Sequence, residues 1–147
     1  MKKLLVMMAC VLMGTAALAQ NNKEGVNFES LTMQQLMDRS ARENKPIFID
    51  VYATWCGPCK YMANNVFTQK KVGDYFNSAF VNAKFDAEKG EGIEVARKYG
   101  VKAYPTFLIL DSKGNEIARI VGGANADDFL KIVQDKFAQV IGAGVRQ

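Results

Sequence analysis

Cys56 and Cys59 are the residues best able to do chemistry in this chain, two residues apart in Trp55-Cys56-Gly57-Pro58-Cys59-Lys60. A thiolate at one position can attack a disulfide in another molecule, and the second sulfur can then resolve the mixed disulfide. Oxidised, the pair closes a four-residue ring. Such a ring is a poor structural staple, because a cross-link stabilises more when it closes a long loop. Zinc is the other use of this spacing, but it takes four ligands, mainly Cys and His. The chain has three cysteines and no histidine. A zinc site would therefore stay half built, and neither a metal nor another cofactor is expected. The lack of histidine also excludes a Ser-His or Cys-His nucleophile pair.

A second candidate group lies upstream. Asp50 stands in the β-branched and aromatic run Ile47-Phe48-Ile49-Asp50-Val51-Tyr52, whose pattern predicts a buried strand. Burial disfavours the charged carboxylate and raises its pKa. Such a group beside Cys59 can take and return the resolving thiol's proton. The alternative is a surface acid at a strand end.

The elements that would position these groups read as follows. Val26 to Phe28 is a short first strand. Thr32 and Gln35 form a capping box for a helix reaching about Glu43, which Asn44-Lys45-Pro46 ends. The strand 47–52 delivers the cysteine motif. A motif helix runs from Pro58 to about Val66, with a break near Thr68 and further helical turns at Val72 to Phe76. Phe80 to Phe85 is a strand, Glu88 to Gly92 a solvated loop, and Ile93 to Tyr99 a helix stopped by Gly100. Thr106 to Leu110 and Glu116 to Val121 are strands joined by a turn in which Gly114 supplies the positive φ. Gly122-Gly123 precedes an amphipathic helix from Asp127 to about Ile141. Phe129, Ile132, Val133, Phe137 and Ile141 share one face of it.

The first nineteen residues have the pattern of an export leader. Lys2 and Lys3 precede the apolar run Leu4 to Leu12, and Ala17-Leu18-Ala19 offers a small-x-small cleavage site. Residues 4–19 are short for a membrane span, so the reading as an uncleaved anchor is weaker, and Cys10 is a poor lipidation site. Cleavage would leave Cys56 and Cys59 as the chain's remaining cysteines, in an oxidising compartment. Residues 20–25 then form a loose segment, 26–141 the domain and 142–147 a tail. A net charge of +4, or +2 without Lys2 and Lys3, is too balanced to suggest nucleic-acid binding.

Over roughly Val26 to Ile141 the chain resembles the thioredoxin superfamily. Trp55 to Lys60 matches its redox motif, with Ala53-Thr54 as the lead-in. Asp50 matches the family's buried acid, and Lys84 falls where many members carry a lysine beside it. Tyr104-Pro105-Thr106 matches the cis-proline segment, and Gly122-Gly123 matches the glycine loop before the last helix. Tyr104 is more like protein disulfide isomerase. The longer stretch Tyr61 to Asn77 is similar to the C-terminal domain of transmembrane disulfide-interchange reductases.

The resemblance implies an α/β thioredoxin fold, a central mixed sheet of four to five strands flanked by helices on both faces. It implies Cys56 as nucleophile, favoured as thiolate at a helix N-terminus. Cys59 would be the resolving thiol, more buried and one turn further in. Asp50 and Lys84 would serve proton transfer. Trp55, Gly57, Pro58, Ala103, Tyr104, Pro105, Gly122 and Gly123 would line the substrate groove.

The expected protein is an exported, monomeric, periplasmic thiol-disulfide oxidoreductase acting on disulfide-containing proteins. Gly57-Pro58 places no imidazole beside the thiolate, which favours a reductant. Continued reduction there needs electrons from a membrane-embedded disulfide reductase. The alternatives are an oxidase or isomerase in the same compartment, or a non-catalytic holdase. The last sits poorly with retention of both cysteines, Asp50 and Pro105.

Overall fold

Apolar residues on both faces of one strand set the architecture. Ile47, Phe48, Ile49, Asp50 and Val51 of strand β1 (Ile47–Tyr52) are all buried, as a strand in the middle of a sheet covered on both sides must be. The computed structural model describes residues 24–144. Within them lie α1 (Met33–Glu43), β1, α2 (Gly57–Tyr61), α3 (Lys70–Ala79), β2 (Val81–Asp86), α4 (Glu91–Lys98), β3 (Thr106–Leu110), β4 (Glu116–Val121) and α5 (Ala126–Gly144). The four strands form one sheet in the order β2-β1-β3-β4. β2 runs parallel to β1, and β3 and β4 are antiparallel to their neighbours. The predicted leader, residues 1–19, lies outside the described residues. No helix among those described is long and apolar enough to cross a membrane.

Alternation along β1 divides the core in two. Phe48 points to one side, where it meets Phe76 of α3 and Phe129 of α5 in an aromatic cluster with Phe67 and Phe107. Ile47, Ile49 and Val51 point to the other, against Leu36 of α1 and Val95 of α4. Asp50 shares the parity of Phe48. It therefore enters the side that carries the cysteine helix, and this follows from a period of two.

Several elements differ from their sequence reading. The expected first strand at Val26 to Phe28 is an extended strap over residues 24–29, joined to the sheet by a single parallel bridge, Glu29 to Ala83. The Glu29 N–H donates to the Asn82 carbonyl of β2, but other strap groups bond outside the sheet. The Val26 N–H donates to the Phe67 carbonyl, the Asn27 N–H to Asn77 Oδ1, and Asn77 Nδ2 back to the Gly25 carbonyl. A Cβ on Gly73 would meet the Gly25 carbonyl oxygen at 2.3 Å, so the strap lies on α3 where only glycine fits.

The motif helix begins at Gly57 and passes into a π-turn at Met62–Val66. The extra residue per turn lets Met62, Val66 and Phe67 all reach the core. α3 and α5 are longer than expected, and α5 continues past Ile141 to Gly144. Ile132 is 36% exposed, so it sits at the margin of the α5 apolar face rather than in the core. The capping box holds: the Gln35 N–H donates to Thr32 Oγ1, and the Thr32 N–H donates to Gln35 Oε1.

Gly92 opens α4 directly against β2. A Cβ there would lie 1.8 Å from the Asp86 carbonyl oxygen, and backbone cannot yield as a side chain can. Gly92→Ala is expected to destabilise the fold by roughly 2 kcal/mol or more, seen as a lowered urea midpoint with unchanged slope.

Candidate active site

The site is assembled where β1 ends. After Tyr52 the chain turns, and Cys56 becomes the N-cap of α2. The Cys59 backbone N–H donates to Cys56 Sγ at 3.2 Å, one of the free donors that every helix N-terminus presents. Pro58 occupies the first turn, where its missing N–H is no loss. Cys56 and Cys59 are joined as a disulfide, their Cα atoms 5.3 Å apart.

The expected difference in burial between the two cysteines is absent. Cys56 is 3% exposed and Cys59 4%, because Ala53, Tyr52 and Tyr104 pack over the ring. What separates the cysteines is their surroundings. Cys56 holds the helix-terminal N–H. Cys59 lines a cavity of about 170 Å³ that it shares with Asp50, Tyr52, Thr54, Lys60, Ala63 and Lys84.

Asp50 is 4% exposed, and its Oδ1 has no hydrogen-bond partner among the described residues. Burial raises its pKa to about 7, and the positive charge of Lys84 opposes that rise. Lys84 stands directly across from Asp50 in the β1–β2 register. It forms no contact ion pair among the described residues. Its ammonium lies over the Tyr52 ring at 5.2 Å and the Phe28 ring at 5.9 Å, and so acts on Asp50 through space.

Several of the residues expected to line a substrate groove contact one another near the ring. The Tyr104–Pro105 peptide bond is cis. The Ala103 carbonyl is occupied, accepting from Thr106 Oγ1 at 2.8 Å. The Pro105 carbonyl accepts from the Gly122 N–H at 2.9 Å. Gly122 has φ +90°, and a Cβ on Gly123 would press on Met62 Sδ at 3.2 Å. The glycine pair therefore clamps the proline segment to the motif helix. Trp55 is 65% exposed and meets Tyr104 edge-on at 6.0 Å.

Sequence reasoning missed three contributors. Glu88, read as part of a solvated loop, accepts a hydrogen bond from the Trp55 indole N–H at 2.9 Å and so orients the exposed ring. No local pattern announces a pairing 33 positions away. Ala63 and Tyr52 were within reach. Ala63 follows Cys59 by four residues, one helical turn, and Tyr52 follows Asp50 by two along the strand.

Residues 33–137 match the family model of the thioredoxin-like domain. The chain is 34% identical over 121 residues to the thiol:disulfide interchange protein DsbD of Yersinia pestis, covering 79% of this chain. It spans 20% of that relative's length. A solution structure of a candidate disulphide isomerase from Bacteroides thetaiotaomicron is 45% identical with a TM-score of 0.70, covering 78% of this chain and 94% of that one. The oxidised C-terminal domain of Neisseria meningitidis DsbD shares the fold, with a TM-score of 0.59 at 24% identity over 76% of this chain and 98% of that one. With its Cys56–Cys59 redox pair, the chain belongs to the thioredoxin-like family of thiol-disulfide oxidoreductases.

Proposed function

We propose that this protein is an exported reductant of protein disulfides, working by dithiol exchange at Cys56 and Cys59. The observation that carries the direction is the sparse stabilisation of the Cys56 sulfur. Among the described residues it accepts one hydrogen bond, from the Cys59 N–H, and the two residues between the cysteines carry no charge and no imidazole. A weakly stabilised thiolate leaves the reduced form less favoured and the protein a stronger reductant.

In the reduced protein Cys56 attacks a partner's disulfide. One partner sulfur leaves as a thiolate and takes a proton, and the other stays bonded to Cys56. Asp50, as carboxylate, removes the Cys59 proton. The Cys59 thiolate then attacks Cys56 Sγ, closing the ring and releasing the second partner sulfur. The partner segment lies between Trp55, Gly57 and Pro58 on one side and Tyr104-Pro105 and Gly122-Gly123 on the other. Export is supported by the leader-like pattern of residues 1–19. Electrons would come from a membrane-embedded disulfide reductase, a reading supported by the likeness to DsbD.

The test is a redox titration of the Cys56–Cys59 couple in dithiothreitol buffers. A potential near about −270 mV is the expected outcome, and one near about −120 mV would reverse the direction. The likeness to the candidate isomerase favours isomerisation as a second reading, which faster recovery of activity by a scrambled multi-disulfide protein would support.

A further inference from the structure

Asp50 faces two chambers, not one. The first, about 170 Å³, reaches it from the motif past Thr54, Cys59 and Lys60. The second, about 140 Å³, reaches it from the strap and is walled by Glu24, Val26, Phe28, Phe67 and Thr68. Ala63 and Lys84 border both. Both chambers have room for hydrogen-bonded waters, each of which takes about 30 Å³ in the liquid. Asp50 is buried, its Oδ1 has no hydrogen-bond partner among the described residues, and the residue lines each chamber.

The two openings differ in what a partner does to them. A folded protein bonded to Cys56 lies over the motif and so over Thr54 and Lys60. Glu24 and Thr68 are exposed on the far side of Ala63 and Lys84.

We propose that the strap-side chamber is the route by which Asp50 exchanges its proton with solvent while a protein partner is attached, with Glu24 and Thr68 at its mouth. The inference rests on the role given to Asp50 in the proposed function. The proton balance is closed. Asp50 gains the Cys59 proton, the Cys59 thiolate displaces the partner sulfur from Cys56, and Asp50 then passes its proton to water in the second chamber and on to bulk. The departing partner thiolate takes its proton from solvent. The titratable and charged groups facing Asp50 are Lys84 from β2, Cys59 and Lys60 from α2, Tyr52 from β1 and Glu24 from the strap.

Thr68→Phe places a ring in the strap-side chamber from an exposed position, and Thr68→Ala is its open counterpart. Resolution of the mixed disulfide is followed in stopped flow by the fluorescence of Trp55, the chain's one tryptophan, across pH 5 to 9. One substrate is a folded disulfide protein and the other a small aromatic disulfide. Thr68→Phe is expected to slow resolution with the protein by about tenfold and to shift its pH profile, while the small disulfide reacts within about twofold of the parent rate. Thr68→Ala should match the parent with both. Equal slowing with both substrates, or none with the protein, would overturn the route. Asp50→Asn run alongside separates the two ideas. If it slows resolution while Thr68→Phe does not, the route alone fails; if Asp50→Asn is without effect, the role of Asp50 fails first.

Discussion

Cys56→Ser is expected to abolish reduction of protein disulfides, by a factor on the order of 10³ or more, whereas Cys59→Ser should accumulate as a covalent adduct on its partners. Burial does not produce this asymmetry, since the two residues are almost equally covered. It comes from the fixed donor at Cys56. The Cys59 N–H points at Cys56 Sγ, and a helix N-terminus stabilises negative charge on the residue that caps it. Cys59 sits beside a carboxyl whose raised pKa suits it to take a proton near neutrality. The check is limiting iodoacetamide on the reduced protein at pH 7, followed by peptide mapping. Label on Cys56 is the expected result, and preferential label on Cys59 would reverse the roles. Non-reducing gels of Cys59→Ser mixed with an oxidised protein should show the adduct, and those of Cys56→Ser should not.

Asp50→Asn should stabilise the protein above pH 7 and leave it nearly unchanged below pH 4. The folded-state pKa, about 7, lies above the ordinary value of 3.8. Between those values the folded protein holds a proton that the unfolded chain has lost, so stability falls as pH rises. The favourable contribution is complete below the unfolded pKa and is lost as pH climbs through the folded one. The full difference corresponds to about 4 kcal/mol, an upper figure because the buried amide must also satisfy its own hydrogen bonds. Urea unfolding of parent and variant at pH 4 and pH 8.5 measures it. A gain of similar size at both pH values would mean that the carboxyl is not held neutral by burial. The same variant should slow release of a protein partner above pH 7, where the carboxylate normally accepts the proton. Stability and turnover therefore move in opposite directions, as expected where a strained group is kept for function.

How much of this could be read from residue order depends on the range of the interaction. Periodicity is local, so the four strands, the capping box at Thr32 and Gln35 and most helices were readable within one or two residues. The position of Asp50 six residues before Cys56 pointed to a carboxyl near the cysteines, and the observed strand puts it on the side of the cysteine helix. The family pattern pointed to the cis Tyr104–Pro105 bond and the Gly122-Gly123 loop, which the fold brings against α2.

Other features needed the assembled molecule. Val26 to Phe28 has strand-forming residues, yet the Val26 and Asn27 N–H groups donate to Phe67 and Asn77, and extended sequence alone does not choose a partner. The cover over Cys56 and Cys59 comes partly from Tyr104, more than forty positions downstream, beside the nearby Tyr52 and Ala53. The bond from Trp55 to Glu88 joins two loops that only the β1–β2 pairing brings together. Lys84 stands opposite Asp50 in register, but its ammonium lies over the Phe28 and Tyr52 rings and makes no contact ion pair among the described residues. Residue types and spacing determined the chemistry available to this protein. Tertiary packing decided how deeply the Asp50 carboxyl is stripped of solvent and which side chains cover the two cysteines, because solvation and field at a buried atom are set largely by neighbours distant in the chain.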